Sequence, residues 1–194
     1  MGSHLIDLPF WALELQSPTT VEAEGPLPVR AETYPDYLTV RWEHPARGKR
    51  APVKLTWYDG KQRPKSPEGV DLQTWHKGIM FVGDQGRVFV NRGKAYGKPV
   101  EELRESPLPA DAVRLYKSDD HMGNFFECVK TRKAPAATVA VAHRVLTACH
   151  LGNIAVRLRR KIVWDAAKEE IVGDAEAANS IYVRRPQRAP YQVG

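Results

Sequence analysis

Metal and disulfide chemistry have little to work with in this sequence. Only two of its 194 residues are cysteine, Cys128 and Cys149. Both fall among apolar neighbours in helical patterns, which reads as buried free thiols rather than a bridge or a metal site. No Cys-x-x-Cys, His-Glu-x-x-His or EF-hand spacing occurs, so zinc or calcium is not supported. None of the 14 glycines falls in a Gly-x-Gly-x-x-Gly pattern. By that test the chain cannot cradle a dinucleotide pyrophosphate in the usual way. No uninterrupted apolar run approaches the roughly 18 residues of a membrane span. No basic segment followed by an apolar stretch opens the chain. No membrane partner is therefore expected, and residence is expected to be cytoplasmic unless a leader was lost upstream. No internal repeat is visible.

What is present is ordinary for a globular domain. Hydrophobic residues make up 42% and charged residues 27%. The length suits one well-buried core, and a single domain over residues 1–194 is expected. The net charge is +6, with a pI near 9.4, an excess that could attract nucleic acid. The basic residues cluster at Arg47–Arg50, Arg157–Lys161 and Arg184–Arg188, without interleaved aromatics to stack bases. No nucleic-acid partner is expected.

The order of patterns predicts an α+β fold. A helix is expected near residues 4–15. Asp7 caps it if Pro9 lies in its first turn; a start at Gly2 instead places Pro9 inside. A short strand follows near 19–24. Leu38, Val40 and Trp42 alternate with Thr39, Arg41 and Glu43, and Val53, Leu55 and Trp57 with Lys54, Thr56 and Tyr58, which predicts an antiparallel pair. Residues 60–76, with Pro67 and Gly69, read as loop. Ile79–Val82 and Arg87–Val90 flank a Gly-Asp-Gln-Gly turn, a hairpin signal. Residues 92–117 read as irregular. Helices are expected near 119–130, capped by Ser118 or Asp119, and near 139–160. A brief strand at 162–165, a short helix at 174–180 and an extended tail complete the reading. Strands first and helices later imply one open, mainly antiparallel sheet with helices packed on one face. The opposite face, with Trp42, Trp57 and Phe81 on its strands, is expected to self-associate.

His4 and Asp7 are the sharpest chemical candidates. Oxidising a sugar requires loss of a hydroxyl proton while hydride leaves the same carbon, and an imidazole suits the proton step because it titrates near neutrality. The i, i+3 spacing puts both side chains on one helical face. A terminal histidine beside a capping aspartate is the functionless alternative. His121 and Asn124 open a later helix as candidate site lining or simply as a polar helix end. His143 and His150 read as surface or packed histidines.

Five segments in order resemble the Gfo/Idh/MocA oxidoreductases. They are Gly2-Ser3-His4-Leu5-Ile6-Asp7, like the G-x-H-x-x-D motif; Val53–Gly60, like V-x-L-x-W-Y-D-G; Gly78–Gly86, like the G-x-x-F-x-G-x-x-G hairpin; His121–Val129, like H-M-x-N-F-x-x-C; and Cys149–Ala155, like C-H-L-G-N-I-A. Met1–His4 would also fit an expression scar, but Leu5–Trp11 continues the motif in register, which favours native sequence.

The resemblance implies a substrate-side domain with a large antiparallel sheet, acting on sugars or polyols with NAD(P). It implies proton transfer by His4 and a structural or substrate-orienting role for Asp7. It also implies a Rossmann domain before the His4 motif. That motif lies at Met1 here, so the expectation is half an enzyme. The chain would bind no cofactor and be inactive alone, or would pair with a separate Rossmann chain. A non-catalytic oligomerisation or interaction module derived from the family is the alternative.

Overall fold

The structure, a computed structural model, describes residues 2–26, 32–60, 62–66, 71–74, 77–91, 93–112 and 116–192. They fall into two compact units, residues 1–72 with 144–194, and residues 73–143. The expected loop around Pro67 and Gly69 lies partly outside the described residues.

The first unit is built on a five-stranded antiparallel sheet. Its strands are β1 (Thr20–Glu24), β2 (Leu38–His44), β3 (Val53–Asp59), β7 (Ile162–Asp165) and β8 (Glu170–Ile171), in the order β3-β2-β1-β7-β8. The central register pairs Val21 with Trp42 and Ile162, and Trp42 with Leu55. Alternation puts Val21, Val40, Trp42 and Ile162 on one face. There they join Ile6 and Phe10 of α1 (Gly2–Ala12) and Ala148, Leu151 and Ala155 of α4 (Val139–Leu158) in one core.

Two contacts explain how closely α4 lies on the sheet. The Trp42 indole N–H donates to the Ala148 carbonyl at 2.8 Å, satisfying a polar group inside the core. A Cβ on Gly152 would stand 2.8 Å from Trp42 Cζ2 and 3.2 Å from Val40 Cγ1. Only a glycine lets the helix backbone approach this near. Among the described residues, α4 is the one helix long and apolar enough to reach across a membrane. A core helix meets the same description, and the inward residues of α4 pack on the sheet.

The other face of this sheet is polar. The Arg41 guanidinium lies 2.8 Å from Glu24, Thr20 Oγ1 donates to Glu43 at 2.9 Å, and Lys161 Nζ lies 3.8 Å from Glu43. Trp42 and Trp57 therefore do not furnish the uncovered apolar surface expected of them. Trp42 is buried and Trp57 packs against the core.

The second unit holds a separate antiparallel sheet, β4 (Ile79–Gly83), β5 (Gly86–Val90) and β6 (Ala95–Tyr96), in that order. The hairpin thus forms where expected but in its own sheet, a correction to the single sheet. Its free edge is taken locally. Asn91 turns the chain, its side-chain oxygen accepting from the Gly93 and Lys94 backbone N–H groups. Ala95 and Tyr96 then pair with Val90 and Phe89. A partner so near in sequence costs little loop entropy.

The stretch expected to be irregular also contains α2 (Lys98–Arg104). Pro99 sits in its first turn, where a missing N–H is harmless, and Glu101 suits its positive end. Gly97 makes the entry at φ 122, where an added Cβ would meet the Arg87 carbonyl. Helix α3 (His121–Thr131) follows, and α5 (Ala175–Ala178) belongs to the first unit.

Candidate functional site

Helix α1 presents His4 and Asp7 to solvent while Ile6, Pro9 and Phe10 are buried. The exposed pair is one helical turn apart on one face. The helix starts at Gly2, so Asp7 lies in its interior; capping by Asp7 is corrected. Pro9 sits inside the helix and lacks the N–H that the Leu5 carbonyl would otherwise receive. The turn beyond is recovered by Leu13 N–H donating to the Pro9 carbonyl at 3.0 Å. Trp11, four residues after Asp7, is exposed on the same side.

The far end of α1 is fastened to the β2–β3 hairpin. Glu14 ends the helix in the left-handed region, at φ 49. Arg47 donates to its backbone carbonyl at 3.1 Å and to its carboxylate at 2.8 Å, and Arg50 lies 2.9 Å from the same carboxylate. The Arg47 hydrogen bond, followed by the Arg50 charge, holds the Glu14 carboxyl below its ordinary range. Two members of the basic cluster at 47–50 are thus committed within the chain.

His44, buried beneath this turn, donates from Nδ1 to the Gln16 carbonyl at 2.8 Å and meets the Phe10 ring edge-on at 5.3 Å. Its Nε2 is buried without a partner. Burial lowers its pKa, and the Gln16 bond offsets only part of that. Sequence reasoning did not single out His44; its place at the end of the β2 alternation was the available signal.

His121 and Asn124 belong to the second unit, His4 and Asp7 to the first. His121 is the exposed first residue of α3. The cap is Asp120, one residue after Asp119; its carboxylate accepts from Met122 N–H at 3.1 Å. Gly123 lies against that carboxylate, so a side chain there would displace the cap.

Asn124 is buried and its amide is engaged inside the unit. Nδ2 donates to Tyr116 Oη at 2.8 Å and lies 3.7 Å from Cys128 Sγ, while Oδ1 accepts from Ala136 N–H at 3.1 Å. It ties the segments on either side of α3 to the helix. His143 and His150 are exposed on α4. Both cysteines are free, and burial pushes the Cys149 thiol up. Among the described residues no three His, Cys, Asp or Glu side chains gather in a way that could hold a metal.

The described residues do not fit a dinucleotide pyrophosphate. Such a group needs a helix N-terminus with free N–H groups at the end of a parallel strand. The described strand pairs are antiparallel. Helix α2, whose Gly97 brings no side-chain cap, follows the antiparallel strand β6. The N-termini of α3 and α5 are filled by the carboxylates of Asp120 and Asp174, and Thr138 accepts from Val141 N–H at the start of α4. A carboxylate in that position repels phosphate.

No curated protein matches the chain. Residues 72–193 match the C-terminal α/β domain of the oxidoreductase family of the Gfo/Idh/MocA type. The matched stretch covers the hairpin, α3, α4 and the β7–β8 pair; α1 lies before it. With well over half its length so matched, the chain belongs to the Gfo/Idh/MocA oxidoreductase family as a C-terminal α/β domain.

Proposed function

We propose that the chain is the substrate side of an NAD(P)-dependent sugar or polyol oxidoreductase. By itself it neither holds the dinucleotide nor turns over sugar. The observation that carries this reading is an exposed imidazole and carboxylate, His4 and Asp7, one turn apart on a helix whose other face is fixed in the core. In this reading His4 takes the proton from the sugar hydroxyl and Asp7 orients a neighbouring one. In the second unit Asn124 serves by holding helix α3, which carries His121. The family is generally NAD(P)-dependent, but the described residues lack a fit for the dinucleotide, so a Rossmann-type domain outside these residues supplies that half. The two free thiols suit a reducing cytoplasm. Self-association through the open sheet face is part of the proposal. It would use the mixed charges of Glu22, Glu24, Glu43, Arg41 and Lys54 rather than apolar contact.

The test is titration of the purified chain with NADH, followed by fluorescence. No saturable signal is expected, and saturable micromolar binding would overturn the reading. When a Rossmann-type chain restores activity, His4→Ala is expected to cost on the order of 100-fold in kcat/KM, the usual contribution of a positioned acid–base group. His143→Ala is expected to leave the rate unchanged. Activity that survives His4→Ala would remove His4 from the site. One observation favours an interaction module instead. Asn124, Gly123 and Gly152, all in family-like motifs, serve capping and packing. That reading predicts no turnover with any complementing chain.

A further inference from the structure

Helix α3 turns its apolar stripe outward. Met122, Phe125, Phe126 and Val129 recur at i, i+3, i+4 and i+7, yet each is between 47% and 54% exposed. The Phe125 and Phe126 rings meet edge-to-face at 5.7 Å. The buried positions of the same helix are Asn124 and Cys128. Four large apolar side chains on one helical face, half in water, mark a contact surface.

The charges at the ends of the helix say which partner fits. Asp119 and Asp120 precede it, and Lys130, Arg132 and Lys133 close it. Each end is therefore complementary to the other. We propose that this stripe is a homodimer surface, on which two copies of the chain pair their α3 helices antiparallel about a twofold axis. Centring the axis between Phe125 and Phe126 sets the register. Phe125 faces Phe126 of the second copy, Met122 faces Val129, and Asp119 faces Arg132. Each contact occurs twice, as an isologous interface requires. A parallel pairing would set acid against acid and base against base. The surface is distinct from the open sheet face of the first unit, and its occupation is independent of cofactor or sugar.

The experiment is sedimentation equilibrium of the intact chain over about a hundredfold range of concentration. The wild type is expected to show a reversible doubling of mass through this surface. Phe125→Asp with Phe126→Asp is expected to halve the mass of the largest species while the circular dichroism spectrum is retained. Asp119→Lys alone and Arg132→Asp alone should each weaken association by about tenfold, because each places two like-charge pairs in the interface. Aspartate is tolerated at position 132, where φ is 61. The combined variant restores the complementary pairs and should return to within about threefold of wild type. A wild type monomeric throughout, an unchanged mass in the double aspartate variant, or a charge reversal without rescue would each overturn the proposal.

Discussion

The first unit seals fifteen residues, from Ile6 to Ala177, in one core beneath α1 and α4. The second buries only Phe89, Asn124 and Cys128 among its described residues, and keeps Leu103, Leu108, Phe125, Phe126 and Val139 largely in water. The two draw on chain of similar composition but hold it by different means. In the first, burial of apolar surface under close helix-to-sheet packing supplies the stability. In the second, a local hairpin, a capped helix and the Asn124 amide do much of the holding. A unit of that kind has apolar surface to spare for a partner.

The largest effect that separates the two regions should come from Trp42→Ala. It empties the centre of the first core and removes the indole N–H that donates to the Ala148 carbonyl, at a cost of about 3–5 kcal/mol. Urea unfolding is the measurement. A loss under about 1 kcal/mol would show that the core is not where the stability resides. Asn124→Ala tests the other region. It removes the amide that joins the Tyr116 hydroxyl to the Ala136 N–H, both within reach of water, and about 1 kcal/mol is expected. Hydrogen exchange should rise in residues 116–136 while the α4 amides facing the sheet stay protected. Uniform acceleration through both units would erase the distinction between them.

The smallest effect is one of pH. The unfolded histidine titrates near 6.5, and burial sets folded His44 lower. Below 6.5 the unfolded chain binds a proton that folded His44 resists. Stability therefore falls as pH drops below that value, and levels off once the folded value is passed. Glu14, Glu24 and Asp174 have lowered values and lose their contributions only nearer the ordinary carboxylate range. The difference between wild type and His44→Gln, measured by urea midpoint from about pH 7.5 to 5, isolates the histidine. A constant difference across that range would remove His44 as its source.

The parts of this fold legible in the sequence are those encoded by a local period. Alternation found β2 and β3, and the Gly-Asp-Gln-Gly turn found the β4–β5 hairpin, because a strand's faces and a tight turn are written in consecutive residues. Helix α2 was hidden by Pro99, which looks like a breaker until its first-turn position is known. The apolar period of α3 was legible, but a period names a face and not its neighbour. Here the apolar face points outward, and Asn124 and Cys128 are the buried positions. Asn124 as site lining was a fair reading of an amide near a helix start. Its engagement with Tyr116 and Ala136 depends on where the flanking chain returns, which no spacing records. His4 and Asp7 were placed on one face by arithmetic alone, and both are exposed there.

Strand order carries a consequence for synthesis. The central strand β1 has β2 on one side and β7 on the other, and β7 comes from the last quarter of the chain. As the polypeptide leaves the ribosome, β1, β2 and β3 can pair at once, being consecutive in the sequence. Their inward face, with Val21, Val40 and Trp42, and the free edge of β1 then wait for more than eighty further residues to emerge. A nascent three-stranded meander with a bare edge and an oily side is prone to sticking to its neighbours. Chaperone dependence during translation, relieved once residue 171 is clear of the exit tunnel, is the expected burden of a sheet completed from both ends of its sequence.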